Sequence, residues 1–316
     1  MSVVVASHAR HLRLRWLLNA LEEQTLAPGS WEVVVVHDYD PATAERVLDR
    51  HPLAQSGRLR DISIPPGTGS PARQRNLGWR AARGELIAFI DDDCRPEPDW
   101  LEELVEQSRR HDGCVVQGKT RPDPLEAGVW RGPHIRTLSI EPVGPYAQAC
   151  NILYLRSLLE LLNGFDERAI AGEDVGLSLR ARAAGRAIVA APHAIANHAV
   201  ESHTLPGVIR QNLKWRHLAY LVKRHPEFRR ELALGVFWDL NHLWITVAVA
   251  GLIGARWNRV ALLLAAPYVR RTSFRRGPRP RARALALLEV PGQGVRQLAE
   301  VMGMAAGSLR HRTLLL

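Results

Sequence analysis

Gly84-Glu85-Leu86-Ile87-Ala88-Phe89-Ile90-Asp91-Asp92-Asp93 decides how this chain is read. Leu86–Ile90 is a continuous apolar run of strand length, the pattern of a strand buried on both faces. It runs straight into three adjacent carboxylates. Like charges at that spacing repel one another, so a fold that gathers them usually does so around a cation. Hard divalent ions such as Mg²⁺ or Mn²⁺ take oxygen ligands, often one or two protein carboxylates together with substrate phosphates.

Upstream, strand and helix signals alternate. Val3–Ala6 is a short β-branched run, followed by helical spacing at Leu14, Leu17, Leu18 and Leu21. Glu32–Val36 is a second apolar run, ending at His37-Asp38. Pro41–Arg50 reads as helix and Leu59–Ile64 as strand. Ser70-Pro71 supplies an N-cap and a first-turn proline for a helix that reaches about Arg83 and stops at Gly84. Downstream, Asp99–His111 reads as helix and Val115-Val116 as strand. Such alternation predicts a parallel sheet covered on both faces, with ligands beyond the carboxyl ends of its strands. Asp38 and Asp91–Asp93 lie at such ends.

Residues 121–145 are rich in proline and glycine and read as irregular. Helices are expected at Arg156–Leu162 and Glu173–Ala184, the second stopped by Gly185, and a short strand at Ala187–Ala190. Glu173-Asp174 opens the second helix, where acidic side chains favour the helix dipole. Set beside the acidic triplet, the pair gains a second reading: one carboxylate cluster holds a metal-diphosphate, another deprotonates a hydroxyl.

The charge divides the chain. Of 42 basic and 32 acidic residues among 316, the stretch 204–316 holds 19 basic and 5 acidic, and 1–203 holds 23 and 27. A basic region behind a slightly acidic body points to a polyanionic partner, either nucleic acid or an anionic membrane surface. Leu205–Arg230 reads as a basic helix. Leu232–Val269 is rich in Leu, Ala, Val and Trp, and is interrupted by Arg256 and Arg259. Its uncharged stretch, Leu240–Ala255, spans about 24 Å as a helix against a hydrocarbon core of about 30 Å. A re-entrant hairpin or interfacial pair suits it better than one spanning helix. Seven arginines and no acid follow between Arg270 and Arg283. Cys94, Cys114 and Cys150 match no zinc spacing and are read as small buried residues of a reducing compartment. The order of apolar strand and then basic segment at the start is not that of a secretory signal.

These residues together resemble a family 2 glycosyltransferase. The resemblance rests on the valines before Asp38, Ala72-Arg73-Gln74-Arg75-Asn76-Leu77-Gly78, the 84–93 stretch and Trp100-Leu101. It continues through Gly164-Phe165-Asp166-Glu167 and Gly172-Glu173-Asp174 to Leu177, Arg180 and Gly185, and covers about residues 1–200. It implies an α/β GT-A nucleotide-diphospho-sugar transferase fold over 1–203, a mostly parallel sheet flanked by helices. Residues 204–316 would be an α-helical, partly apolar region associated with a membrane.

Position by position, the resemblance implies that Asp38 contacts the nucleobase and that Arg75 faces the nucleotide. Asp91 and Asp93 would contact ribose and a divalent metal, Mg²⁺ or Mn²⁺, with Asp92 beside them on the donor side and His198 touching the metal or diphosphate. Asp174 would be the catalytic base, with Glu173 beside it; Asp166 and Glu173 lie on the acceptor side. A single displacement by the acceptor hydroxyl would invert the anomeric carbon. The implied partners are a nucleotide-diphospho-sugar donor, a glycan or lipid-linked acceptor of the cell envelope, and an anionic membrane surface, with no nucleic acid. The implied location is the cytoplasmic face of the cell membrane. The chain departs from the family pattern at His37-Asp38-Tyr39-Asp40, Asn163 and Gly176, none of which removes a catalytic carboxylate.

Two other classes compete. A sugar nucleotidylyltransferase has a related fold but carries a glycine-rich phosphate loop near its start, and Val3–Arg15 has no glycine. A nucleic-acid binder would use the 270–283 arginines, with Val295–Leu309 as two short helices turning near Gly303. An arginine cluster directly after an apolar segment fits a juxtamembrane site better.

Overall fold

The computed structural model describes residues 1–131 and 134–316, which form two compact units. One comprises Met1–Trp130 with Arg136–Glu201, the other Arg131–Ile135 with Ser202–Leu316.

In the N-terminal unit, eight strands make one sheet: β1 Ser2–Ser7, β2 Glu32–His37, β3 Leu59–Ser63, β4 Leu86–Ile90, β5 Cys94–Pro96, β6 Val115–Pro122, β7 Asn151–Leu155 and β8 Ile188–His198. Their order is β3-β2-β1-β4-β7-β6-β8-β5. The β-branched runs become its centre: Val3, Val4 and Val5 of β1 are wholly buried, each such side chain contributing about 1.5–3 kcal/mol. Alternation along a strand sends neighbours to opposite faces. Val3, Val5 and Ile90 join one core with the leucines of α1 (His11–Glu22) and Trp100 and Leu104 of a later helix. Val4, Ile87 and Phe89 join the other with Trp79, Leu158 and Leu177.

The helices after α1 are α2 Pro41–Ala44, α3 Pro52–Gln55, α4 Pro71–Ala81, α5 Trp100–Arg110, α6 Arg156–Leu161 and α7 Glu173–Ala183. Helix α4 starts as its sequence requires. The Ser70 hydroxyl accepts from the Arg73 N–H at 3.2 Å, and Pro71 fills the first turn.

The sheet is mostly parallel, as the sequence leads one to expect, with two strands running against the rest. β1 pairs in parallel with β2 and β4, β2 with β3, and β6 with β8. β7, which the sequence reading leaves unassigned, is antiparallel to both β4 and β6, and β5 is antiparallel to β8. β8 also outruns its expected end at Ala190. Its register against β6 jumps between Gly118 and Lys119, where partners pass from Ala191 to Ile195. Pro192 and His193 sit in that irregularity, a bulge that lets the strand continue past a proline. The extension carries His198 to the end of the sheet.

The C-terminal unit is helical: α8 Leu205–Asn212, α9 Leu218–Arg224, α10 Leu240–Gly254, α11 Ala266–Ser273 and α12 Pro280–His311. Leu205–Arg230 is therefore a chain of short helices rather than one. Val295–Leu309 lies inside the continuous α12, which runs through Gly303; the two-helix reading of that segment is incorrect. A small core joins Ile245, Ala248 and Tyr268 to Val290 and Leu298. His242 bonds Glu300 at 2.8 Å beneath it, both buried. Among the described residues, no helix is long and apolar enough to cross a membrane.

Candidate active site

The site forms where the carboxyl ends of β1, β2 and β4 meet the start of α7. Two side chains of α4 fix these edges. Gln74 donates to the carbonyls of Ser7 and Val36 at 3.0 and 3.2 Å, tying the ends of β1 and β2 together. Asn76 donates to the Phe165 carbonyl and accepts from the Phe165 N–H, each at 2.9 Å, which holds the 164–167 turn. Gly164 is required there. Its φ is +61°, and a Cβ would lie 2.3 Å from Asn76 Oδ1.

Arg75 joins residues far apart in sequence. Its buried guanidinium donates to Asp91 at 2.6 Å and to Glu173 at 2.7 Å. The two carboxylates hold its charge more firmly than burial disfavours it. Glu173 and Asp174 open α7 behind Gly172, which takes the left-handed conformation at φ +76°. Burial pushes Glu173 up to about 7, with Asp174 adding repulsion and Arg75 opposing both. Asp174 is also raised by burial, against Arg75. Its oxygens accept from the N–H groups of Val175 and Ala149 at 2.8 and 3.2 Å, which aims the carboxylate.

The other two members of the triplet face different neighbours. Asp92 is buried, accepts from the Ser7 hydroxyl at 2.6 Å, and is pushed up to about 6 by burial. It is built into the floor, with Ser7 in turn 2.5 Å from the Tyr39 hydroxyl. Asp93 meets Arg10 through Oδ2 at 2.7 Å. Its Oδ1 is buried with no hydrogen-bond partner among the described residues, and lies 3.7 Å from His198 Nε2. His198 Nδ1 faces the Ala199 carbonyl at 2.8 Å, so in the neutral ring Nδ1 carries the hydrogen and Nε2 is bare. A bare nitrogen opposite an orphaned carboxylate oxygen is a donor set that fits a divalent cation, with the carbonyl orienting the imidazole. Cys94 completes a group whose donor atoms lie within 4.8 Å of one another. Burial raises its thiol well above the ordinary range, which makes it a poor partner for a hard ion.

The remaining expected residues are placed as follows. Asp38 is held by His8 Nδ1 at 2.7 Å at the end of β2. Asp166 accepts from the backbone N–H and guanidinium of Arg168 within its own turn. The sequence reading missed Arg10, which touches Asp92, Asp93 and Glu201. The signal was its place just beyond the carboxyl end of β1, where ligands of such sheets bind.

Comparison with known proteins bears on the family and the fold. The family model described as Glycosyl transferase family 2 matches residues 2–162. Over 257 residues the chain is 25% identical to the pre-mycofactocin glycosyltransferase of Mycobacterium tuberculosis, a match covering 78% of this chain and 53% of that protein. The chain thus spans about half the length of that relative. Among solved structures, the mannosyltransferase PcManGT from Pyrobaculum calidifontis in complex with GDP-Man and Mn²⁺ is similar at a TM-score of 0.58 and 18% identity, covering 98% of this chain and 86% of that one. Residues 1–349 of S. aureus TarS in complex with UDP-GlcNAc give a TM-score of 0.53 at 17% identity, covering 99% and 92%. The two structures share its architecture.

Proposed function

This chain belongs to glycosyl transferase family 2 and has the GT-A fold, and from that premise we propose that it moves a sugar from a nucleotide-diphosphate donor to a hydroxyl of a glycan or lipid-linked acceptor, inverting the anomeric carbon. The observation that carries this reading is the Arg75 bridge. It makes one site of the acidic end of β4 and the acidic start of α7, which are 82 residues apart between Asp91 and Glu173.

Asp174 accepts the acceptor's proton as its oxygen attacks the anomeric carbon, and the bond to the diphosphate breaks, releasing the nucleoside diphosphate. Burial raises this carboxylate towards the working range of a general base, and two backbone N–H groups aim it. Glu173 lies beside it on the acceptor side, with Asp166 in the neighbouring turn. Asp38 lies on the nucleobase side. Asp91 holds the ribose while Arg75 keeps it in place, and Asp92 supports the floor beneath the donor. Asp93 and His198 would hold Mg²⁺ or Mn²⁺, which when bound supplies positive charge against the leaving diphosphate. GDP-Man and UDP-GlcNAc, named with the two structural neighbours, are the first donors to try. We further propose that the C-terminal unit rests on the anionic cytoplasmic face of a membrane without crossing it.

The test is a panel of nucleotide sugars with Mg²⁺ or Mn²⁺, scored by thermal shift and then by released nucleoside diphosphate. At least one donor should raise the melting temperature only with the cation and be turned over with an acceptor. A panel in which no donor binds with either ion contradicts the reading.

A further inference from the structure

The C-terminal unit contains a cavity of about 670 Å³ between α10, α11 and α12, within the size range of small-molecule pockets. Its walls carry Arg270, Arg271, Arg275 and Arg296 with the aromatic rings of Trp244 and Phe274, and among the described residues no acidic side chain lines it. Some of this charge is already answered. Arg275 pairs with Glu289, which also takes Arg276, and Arg296 pairs with Glu300 at 2.7 Å. Arg271 donates to the neutral Asn241 at 2.6 Å. Arg270 and Arg271 have no carboxylate partner among the described residues. Gln297, also on the wall, is buried and keeps an Oε1 with no hydrogen-bond partner among the described residues. A cationic cavity with an unanswered buried acceptor matches a ligand that is both an anion and a hydroxyl donor.

The cavity is continuous in sequence with an apolar hairpin. α10 leads from Asn241 and Trp244 to a turn, and residues 259–265 return to α11. The two legs touch so closely that a Cβ on Gly251 would lie 2.6 Å from the Ala261 carbonyl. The hairpin leaves its large side chains in water: Trp257 is 78% exposed, Leu263 69% and Val260 65%. Leu252 and Ile253 are exposed beside them. Arginines bracket this apolar surface at both ends, Arg256 and Arg259 at the turn, Arg270 and Arg271 at the cavity. Such a hairpin suits the plane of a lipid interface, its apolar side chains roughly 5–10 Å into the boundary and its arginines at the headgroups.

We propose that the arginine-lined cavity binds the phosphate headgroup of a membrane lipid, with the exposed hairpin taking the adjoining acyl surface. The proposal rests on the membrane reading of the C-terminal unit and adds to it a built headgroup site. The phosphate oxygens meet Arg270 and Arg271, whose planar forks match phosphate, and a headgroup hydroxyl donates to Gln297.

The test compares the full chain with Arg270→Ala, Arg270→Ala/Arg271→Ala and Trp257→Ser by co-sedimentation with phosphatidylglycerol vesicles and with neutral phosphatidylcholine vesicles. Melting temperatures check that each variant is folded. The unaltered chain should bind the anionic vesicles, and the double variant about 25-fold more weakly, at about fivefold per arginine. Trp257→Ser should weaken binding through the hairpin instead. Calorimetry with a water-soluble short-chain phosphatidylglycerol and with inorganic phosphate separates the sources. The short-chain lipid should bind the unaltered chain and not the double variant, and inorganic phosphate should bind far more weakly than the lipid. Vesicle binding unchanged by both arginine substitutions would overturn the cavity site while leaving the membrane reading standing. No binding to either vesicle would remove the membrane reading and the proposal with it. Inorganic phosphate binding as tightly as the short-chain lipid would make this a free-phosphate site.

Discussion

In the N-terminal unit, Asp91, Asp92, Asp93 and Glu173 each meet an arginine, and its large apolar side chains lie in two cores on either face of one sheet. The C-terminal unit does the reverse with both kinds of residue. Among the described residues it keeps Arg270 and Arg271 without carboxylate partners, and it leaves Trp257, Val260 and Leu263 in water. A folded chain tolerates buried carboxylates only where cations and hydrogen bonds answer them. It leaves a contiguous apolar surface exposed chiefly where something else covers it. On the proposed reading, the first unit draws a charged ligand inwards and the second meets a surface from outside.

The contrast breaks most sharply at Asp174. If it is the base, Asp174→Asn should keep donor binding and lower the transfer rate by about 10²–10⁴-fold, as loss of a general base does. Release of nucleoside diphosphate at the parent rate would remove it from that role. The next effect is at Asp93. Asp93→Asn should weaken cation-dependent donor affinity by at least about tenfold, as loss of an ionised ligand to a metal site does. Cation-dependent affinity that is unchanged in the variant would place the ion elsewhere.

Two smaller effects sharpen the picture of the inner unit. Gly164→Ala forces a Cβ against Asn76 and Trp79 at positive φ, so it should destabilise the fold by about 2–3 kcal/mol, read as a fall in denaturation midpoint. Glu173→Gln tests the electrostatics. Burial raises Glu173 to about 7 from its usual 4.5, so between those values the folded chain holds a proton that the unfolded chain has lost. Stability from this group is therefore full below about 4.5 and declines as pH rises through 7, by on the order of 3 kcal/mol. The variant should flatten that slope in thermal melts between pH 5 and 8. An unchanged slope would show that Glu173 is ionised throughout.

Much of this was legible in the sequence, for stated reasons. The valines of β1 and β2 and the run before Asp91 are buried on both faces, and buried parallel strands read as unbroken apolar segments. Ser70-Pro71 announces α4 through local capping chemistry. β7 was not legible: Asn151–Leu155 is a short apolar run that leads directly into α6, and length alone does not separate strand from helix there. The extension of β8 was hidden by Pro192, because a bulge depends on its partner strand. Among site residues, the acidic triplet and the Glu173-Asp174 pair announced themselves by charge. Arg10 did not, because an arginine in a basic segment looks like solvated surface until the fold brings Asp92 and Asp93 against it.

The most direct test is isothermal titration of a donor that the nucleotide-sugar panel identifies into the full chain, the Asp93→Asn variant and the Asp174→Asn variant, each with Mn²⁺ and with chelator, followed by nucleoside-diphosphate release with acceptor present. The account predicts cation-dependent binding in the parent and in Asp174→Asn, its loss in Asp93→Asn, and release by the parent alone. Binding that ignores both Mn²⁺ and Asp93, or release by Asp174→Asn at the parent rate, would contradict it.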